Sequence, residues 1–260
     1  MTHDRNLKVY AEGPVGIMQL DRPQKYNCLS MSIFEELEEA VGQFEEQKDV
    51  AALMICASGK NFCTGAELDE VETVRAHEDA LKQFLHVGHR ALDRLEQSPL
   101  PVIVAVEGLC LAGGLELMLA CDIVIAGQSA RFGDQHGQFG LVPGWGGSQR
   151  LPKVIGVRRA LDLFLSVRWI NAGVAEQWGL VNYVVADGEA YSAALQYAAK
   201  MADRSADGIA RMKHLARVAD SEQIQAAKKR EIDAATSAVM GEAVSEGLMA
   251  FKEKRKPVFR

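Results

Sequence analysis

The 260-residue sequence predicts an α/β fold that gives way to a helical C-terminal third. Short apolar runs of strand length alternate with segments whose apolar residues recur at helical spacing, the pattern of a largely parallel sheet with crossover helices. Val50–Ala57, Pro101–Val106 and Ile123–Ala126 are continuously apolar, as strands covered on both faces are. From about Glu189 to Arg255 the pattern is helical, punctuated only by Gly208, Gly241 and Gly247.

The elements follow in order. Leu7–Glu12 and Val15–Leu20 flank Gly13-Pro14 and read as a hairpin, closed by Asp21-Arg22-Pro23. Ser32 and Glu35 have the spacing of a capping box, and Phe34, Leu37, Val41 and Phe44 behind them share a helix face. Val50–Ala57 is the next strand, stopped by Ser58-Gly59-Lys60-Asn61. Residues 69–79 are acidic and patternless, and lead into a helix near Ala80–Gln97 that ends at Ser98-Pro99. Pro101–Val106 is a strand, and a helix near Leu115–Cys121 follows the glycines at 108, 113 and 114. Ile123–Ala126 and Leu180–Val185 read as further strands, with a glycine-rich stretch at 140–156 between them.

Composition narrows the function classes. Lys and Arg number 29 against 35 Asp and Glu, a net charge of −6, with 48 % apolar and 25 % charged residues. That is the balance of a soluble globular chain, and it disfavours nonspecific nucleic-acid binding, which needs positive surface. No apolar run approaches the ~18 residues of a membrane helix, and the polar Met1–Lys8 stretch does not read as a signal peptide. The cysteines at 28, 56, 63, 110 and 121 are scattered and without metal-ligand spacing, which suggests reduced, buried thiols in a cytoplasmic protein.

Common catalytic signatures are missing. The sequence holds no GxGxxG, no GxxxxGK[ST] and no GxSxG. His86 and His89 form an HxxH without a third ligand nearby, so they read as surface or half-buried histidines and not as a metal site.

Two glycine turns carry the chemistry. In Glu107–Glu116 (EGLCLAGGLE) a buried strand runs into glycines and a helix opens with an acid in its first turn. Glycines admit a close ligand, and helix-opening N–H groups can stabilise a developing oxyanion beside the Glu116 carboxylate. The same pattern suits a plain strand-to-helix turn equally well. Asn61–Leu68 (NFCTGAEL) has the same character, so the two turns together could offer one N–H each to a shared oxygen.

These segments, with Asp21–Leu29 (DRPQKYNCL), Phe132-Gly133, Gly140–Leu151 (GLVPGWGGSQRL), Ala175–Val181 (AEQWGLV) and Phe251–Lys256 (FKEKRK), closely resemble the enoyl-CoA hydratase/isomerase, or crotonase, superfamily in order and spacing. The resemblance implies a spiral of β-β-α units over residues 1–195 and a helical oligomerisation region over 196–260, building a trimer or a dimer of trimers. The ligand it implies is an acyl-CoA thioester, with coenzyme A arriving as part of the substrate and no metal or other cofactor. By motif position the oxyanion hole is Ala66 and Gly113. Gln24, Lys25, Tyr26, Cys28, Thr64 and Leu68 line the CoA path, and Gly114, Gln135, Leu141 and Pro143 are further substrate-contacting positions. Phe251 and Lys254 resemble contacts to the nucleotide end made from a neighbouring subunit; the same basic tail would also complement a helix dipole.

The sequence departs from the hydratase pattern at one position. Hydratases of the family use two glutamates. Glu116 matches the first, but the register fixed on Pro143-Gly144 puts His136 in the place of the second. A Glu/His pair can still activate water and deliver a proton at neutral pH. Trp145 fits either a cap on the acyl pocket or a core side chain, and Asp134 and Gln135 are polar neighbours, Gln135 able to orient substrate or His136. The leading expectation is hydration or dehydration of an enoyl-CoA with Glu116 and His136 as acid and base. The alternatives are a C–C hydrolase or decarboxylase of a β-oxo or malonyl-type thioester, an enoyl-CoA isomerase, and a weakly active CoA-thioester-binding subunit.

Overall fold

The structure is a computed structural model and describes residues 6–218, 228–229, 232–233 and 235–257. Its main sheet has six strands: β1 (Leu7–Glu12), β2 (Val15–Leu20), β3 (Ala52–Ala57), β4 (Val102–Val106), β6 (Ile123–Gly127) and β9 (Tyr183–Val185), in that spatial order. The β1–β2 pair is an antiparallel hairpin around Gly13, and every later pairing in this sheet is parallel. A small second sheet joins β5 (Leu109–Leu111), β7 (Arg131–Gly133) and β8 (Ile170–Asn171). Runs of two or three residues are too short to show periodicity, so the sequence signals none of these three strands.

Helices cover both faces of the main sheet. On one face lie α1 (Met31–Glu45) and α3 (Glu78–Gln97), which bury Phe34, Leu37, Phe44, Phe84 and Leu92 with the strand residues Leu53, Ile55 and Val104. On the other face α8 (Ala190–Ala199) presents Ala190, Ala194 and Ala198 to Ile17, Met54, Ile103 and Ile125. Small alanines at i, i+4 and i+8 let the helix sit close on the β-branched surface. Because α8 spans residue 195 and packs on β2, β3, β4 and β6, the seam expected there runs through a helix that belongs to the sheet.

Two local expectations are corrected. The α1 N-cap is Ser30, whose hydroxyl accepts from the Ile33 N–H at 3.4 Å, and Ser32 instead shares a 2.9 Å hydrogen bond with it. Residues 69–79 are not patternless: α2 (Leu68–Val74) occupies most of them. Its acidic first turn suits a helix N-terminus, and only Val71 is fully buried, so it shows no apolar stripe.

Four shorter helices complete the core layer: α4 (Gly113–Leu119), α5 (Gly147–Ile155), α6 (Val157–Ser166) and α7 (Ala172–Gln177). The C-terminal region contributes α9 (Ala206–Val218) and α10 (Glu242–Lys252). Charge fixes α9 to the body. Lys213 Nζ donates to the Leu95 and Leu100 carbonyls at 3.0 and 2.9 Å and pairs with Asp122, while Arg217 reaches Asp122 at 2.7 Å and Glu96 at 3.1 Å. Lys213 thereby satisfies a carbonyl at the end of α3, and Arg217 donates to the Ala120 and Cys121 carbonyls at 3.4 and 3.0 Å. Part of the segment between α9 and α10, and thus part of the expected oligomerisation region, lies outside the described residues.

Candidate active site

The two glycine turns meet. Leu29 N–H donates to the Gly65 carbonyl at 2.7 Å and Glu67 N–H to the Leu29 carbonyl at 2.8 Å, which lays residues 65–67 along the Asp21–Leu29 segment. Cys63 pairs with Cys110 in a single parallel bridge, and Leu111 N–H donates to the Cys63 carbonyl at 2.9 Å. Those bonds bring Gly65 onto Gly113: a Cβ on Gly113 would lie 3.3 Å from the Gly65 Cα. Gly65 needs its lack of side chain, since it has φ +115° and a Cβ there would stand 3.0 Å from the Ala112 Cβ.

Ala112 turns the chain between β5 and α4 with φ 47° and ψ −118°, an unusual conformation for a residue with a side chain. It is held at both ends: its N–H donates to the Gly133 carbonyl at 3.0 Å, and its carbonyl accepts from Glu116 N–H at 3.0 Å. Strain fixed in this way sets the direction of the next peptide. Among the described residues neither the Ala66 N–H nor the Gly113 N–H meets an acceptor, although each neighbouring turn amide that the bridges require is engaged.

Glu116 sits one helical step beyond, 1 % exposed. Its Oε1 accepts from Trp145 N–H and Gly147 N–H, both at 2.8 Å. The loop that donates them is itself anchored: Arg150 Nη1 donates to the Trp145 carbonyl at 2.6 Å, and the guanidinium is gripped by Glu96 at 2.7 Å and Asp93 at 3.2 Å on α3. Two N–H donors on one oxygen favour the ionised carboxylate. They also leave Oε2 directed to the other side, where His136 Nε2 lies 3.5 Å away.

His136 opens a 3-10 turn, His136–Phe139, after β7. The side chain is 11 % exposed and is held by Asp134: Oδ2 lies 2.9 Å from Nδ1, and Oδ1 accepts from the His136 backbone N–H at 3.2 Å. Asp134 is itself 2 % exposed. The sequence names it only as a polar neighbour; its Asp-x-His spacing is the signal that could have marked it as the ring's anchor.

The remaining sequence-derived positions divide. Gln24, Lys25 and Tyr26 are exposed on a short 3-10 turn and its αL end, Cys28 is half-buried, and Thr64 N–H donates to the Tyr26 carbonyl at 3.3 Å. Glu67 binds Arg22 at 2.7 Å and pairs with Lys25, so this edge carries fixed charge beside Ala66. Asn27 holds the edge together: it is 1 % exposed, and its amide donates to the Ser58 and Asn61 carbonyls at 2.9 and 2.8 Å. Leu68 opens α2, and Leu141 and Pro143 line the loop between His136 and Trp145.

Three further positions make their contacts within the chain. Gln135 is turned away from the site: its Nε2 donates to the Val167 carbonyl at 2.7 Å and to the Asp134 carbonyl at 3.1 Å, because the Asp134–His136 pair fixes the backbone on either side of it. Gly114 serves close packing, since a Cβ there would run into the Cys63 carbonyl. Phe251 packs edge-on against Phe139 of its own chain, centroids 5.6 Å apart. Gly247 permits this by leaving space for the Phe139 carbonyl, and Lys252 pairs with Glu72 on α2. Lys254 is exposed just beyond α10.

Trp145 resolves toward the interior. It is 3 % exposed and packs edge-on against Phe34 and Phe84 at 4.7 and 5.2 Å. One end of its indole reaches Gly88, and the other lies where a Cβ on Gly113 would be 2.6 Å from the ring. It is therefore core and also a wall behind the Gly113 turn. His89 is buried as well, and no three His, Cys, Asp or Glu side chains among the described residues are grouped to hold a metal ion.

Comparisons with known proteins agree with this geometry. A family model described as enoyl-CoA hydratase/isomerase matches residues 11–260. A probable enoyl-CoA hydratase of Rhizobium meliloti is 34 % identical over 254 residues, covering 98 % of this chain and 97 % of that one. A short-chain-enoyl-CoA hydratase of Clostridium acetobutylicum is 32 % identical over 252 residues, 96 % of each chain. Among solved structures, an enoyl-CoA hydratase/isomerase from Pseudoalteromonas atlantica superposes with a TM-score of 0.88 at 29 % identity, covering 98 % of this chain and all of that one.

Proposed function

Because the chain belongs to the enoyl-CoA hydratase/isomerase family, we propose that it hydrates the conjugated double bond of an enoyl-CoA thioester, and catalyses the reverse dehydration. The observation that carries the reading is the placement of Glu116 Oε2 and His136 Nε2 3.5 Å apart, beside two unengaged backbone N–H groups on turns that touch.

The chemistry follows from that arrangement. The thioester oxygen accepts from Ala66 N–H and Gly113 N–H. As water adds to the β-carbon, the alkene pair shifts toward the carbonyl carbon and the C=O pair moves onto that oxygen, and each donor is worth about 10²–10³ in rate. Glu116, ionised and held by two amides, takes the water proton. His136 stands on the same side to exchange a proton with the α-carbon. Proton transfer by positioned groups of this kind contributes about 10²–10⁴. No step as written calls on a resident cofactor or metal; coenzyme A enters with the substrate.

The edge formed by Lys25, Tyr26, Cys28, Thr64 and Leu68 is proposed to receive the CoA arm, with Glu67 fixing the Lys25 ammonium. The trimer, or dimer of trimers, and a cytoplasmic location complete the proposal; no described helix is long and apolar enough to cross a membrane. The Clostridium relative is named for short-chain substrates, and a short acyl group is proposed here on that likeness.

The test is loss of the conjugated thioester absorbance of crotonyl-CoA with wild type and Glu116→Gln. Hydration by the wild type and its loss by at least ~10²-fold in the variant support the reading. Tight crotonyl-CoA binding with no hydration would overturn it in favour of C–C bond cleavage or a binding role.

A further inference from the structure

Asp134 spends both carboxylate oxygens on His136. Oδ1 takes the backbone N–H at 3.2 Å and Oδ2 faces Nδ1 at 2.9 Å. At the other end of the ring, Nε2 faces Glu116 Oε2 at 3.5 Å. The imidazole thus has a carboxylate at each nitrogen. A neutral ring carries one N–H and one lone pair, so it would turn a lone pair toward one of the two carboxylates. Only the imidazolium offers a donor to both. Relief by protonating Glu116 is opposed by the Trp145 and Gly147 amides on its Oε1 and by Arg150, whose charge also bears on Glu116.

We propose, building on the hydratase reading above, that Asp134 is a positioning residue that keeps His136 an imidazolium with Nε2–H directed into the site, so that His136 is the acid of the hydration and Glu116 the base. The steps balance. Glu116 removes a proton from water as the water oxygen bonds the β-carbon, the C=C pair shifts into the bond between the α-carbon and the carbonyl carbon, and the C=O pair moves onto the thioester oxygen. The enolate then re-forms its C=O, and its α-carbon takes the Nε2 proton. Glu116 is left protonated and His136 neutral. One proton passing from Oε2 to Nε2 across the 3.5 Å gap restores both, and the net addition is one water.

Every element around the turn is compatible with this charge. From α4 comes Glu116 and from the β7 end Asp134; α5 contributes Arg150, acting on Glu116. The α6 end meets the turn through the Phe164 carbonyl and the Val167 side chain at Gly137. From α10 it meets Gly247 and Phe251, while Glu246 on that helix is paired with Arg255 at 2.6 Å.

The experiment compares the pH dependence of kcat/KM for crotonyl-CoA hydration by wild type and Asp134→Asn, and follows the His136 ring nitrogens of the full-length wild type by ¹⁵N NMR. Asn keeps a hydrogen-bonding oxygen and removes the charge. The expected result is an imidazolium in the wild type at neutral pH, and in the variant a basic limb moved down by about 1–2 pH units. Activity near pH 8 then falls by roughly 10- to 100-fold while KM stays within about twofold, by the same shift in protonation. An unmoved basic limb in an active variant overturns the proposal, and so does a neutral ring in the wild type at pH 7. If Asp134→Asn fails to fold, the wild-type spectrum alone decides. A wild type that binds but does not hydrate fails the hydratase reading instead, and leaves the ring's charge to be read separately.

Discussion

Gly113 stands against Gly65 with no room for a side chain on either: a Cβ on Gly113 would lie 3.3 Å from the Gly65 Cα and 2.6 Å from the Trp145 ring. The contact joins two turns far apart in sequence into one concave edge, and the N–H groups of Ala66 and Gly113 belong to that edge. Substituting Gly113→Ala must push the turn away from Trp145 or from Gly65, and either movement separates the two donors. Crotonyl-CoA hydration should fall by about 10²–10³ in kcat, the value of one lost donor, with a smaller change in binding. Steady-state kinetics beside a thermal melt would separate this from unfolding.

Trp145 fills the space between Phe34, Phe84, Gly88 and Gly113. Trp145→Ala should cost about 3–5 kcal/mol of stability, as large-to-small core changes do, read from denaturant midpoints at constant slope. If the indole also walls the acyl end of the site, the variant should gain activity on longer enoyl-CoA chains relative to crotonyl-CoA. Equal relative rates across chain lengths would make it core alone.

His89 gives a pH signature to stability. Burial, then the charges of Arg150 and Lys228, push its ring down to about 3, against about 6.5 when unfolded. The folded state keeps the ring neutral while the unfolded chain takes up a proton, so the stabilisation is present above the unfolded value. It is lost as pH falls from about 6.5 towards 3, at up to about 1.4 kcal/mol per pH unit. Urea unfolding between pH 7 and 5 should show this slope in the wild type and a flatter one in His89→Gln. Parallel slopes would contradict it.

The thiols test the CoA edge. Cys63, Cys110 and Cys121 are buried, and burial pushes their thiols up, Cys63 to about 12. Cys56 is buried and raised likewise, to about 12. Cys28 is half-buried and raised, first by burial and then by Glu67. A disulfide-exchange reagent should therefore modify one thiol per native chain, Cys28, slowly, and crotonyl-CoA should slow it further. Labelling of Cys63 first, or no protection of Cys28, would place the CoA arm elsewhere.

Much of this architecture is legible in the sequence because it is periodic. The buried runs of β3, β4 and β6 and the apolar faces of α1 and α3 announce themselves. Elements of three residues, such as β5 and β7, have no period to read, yet they carry Gly113 and Gly133 to the site. The site divides in the same way. Glu116, His136, Ala66 and Gly113 follow from motif position. Asp134 and Asn27 act through hydrogen bonds that depend on backbone direction, so their importance emerges only once the turns are built. Gln135 shows the converse: a polar residue one position from His136 faces the Val167 carbonyl because adjacent side chains on this turn diverge. Arg150 supports Glu116 through the Trp145 peptide, a connection that no spacing encodes.

Exchange of the α-protons of butyryl-CoA in deuterated water isolates enolate formation, since this saturated thioester has no double bond to hydrate. With an intact pair of oxyanion donors, and with Nε2 first passing its proton to Glu116 Oε2 so that its lone pair can take the α-proton, the wild type should incorporate deuterium at the α-carbon. His136→Gln should lose that exchange by about 10²-fold or more while still binding the thioester. Bound butyryl-CoA that keeps its α-protons in the wild type, or exchange undiminished in His136→Gln, would contradict the assignment of enolate chemistry to this site.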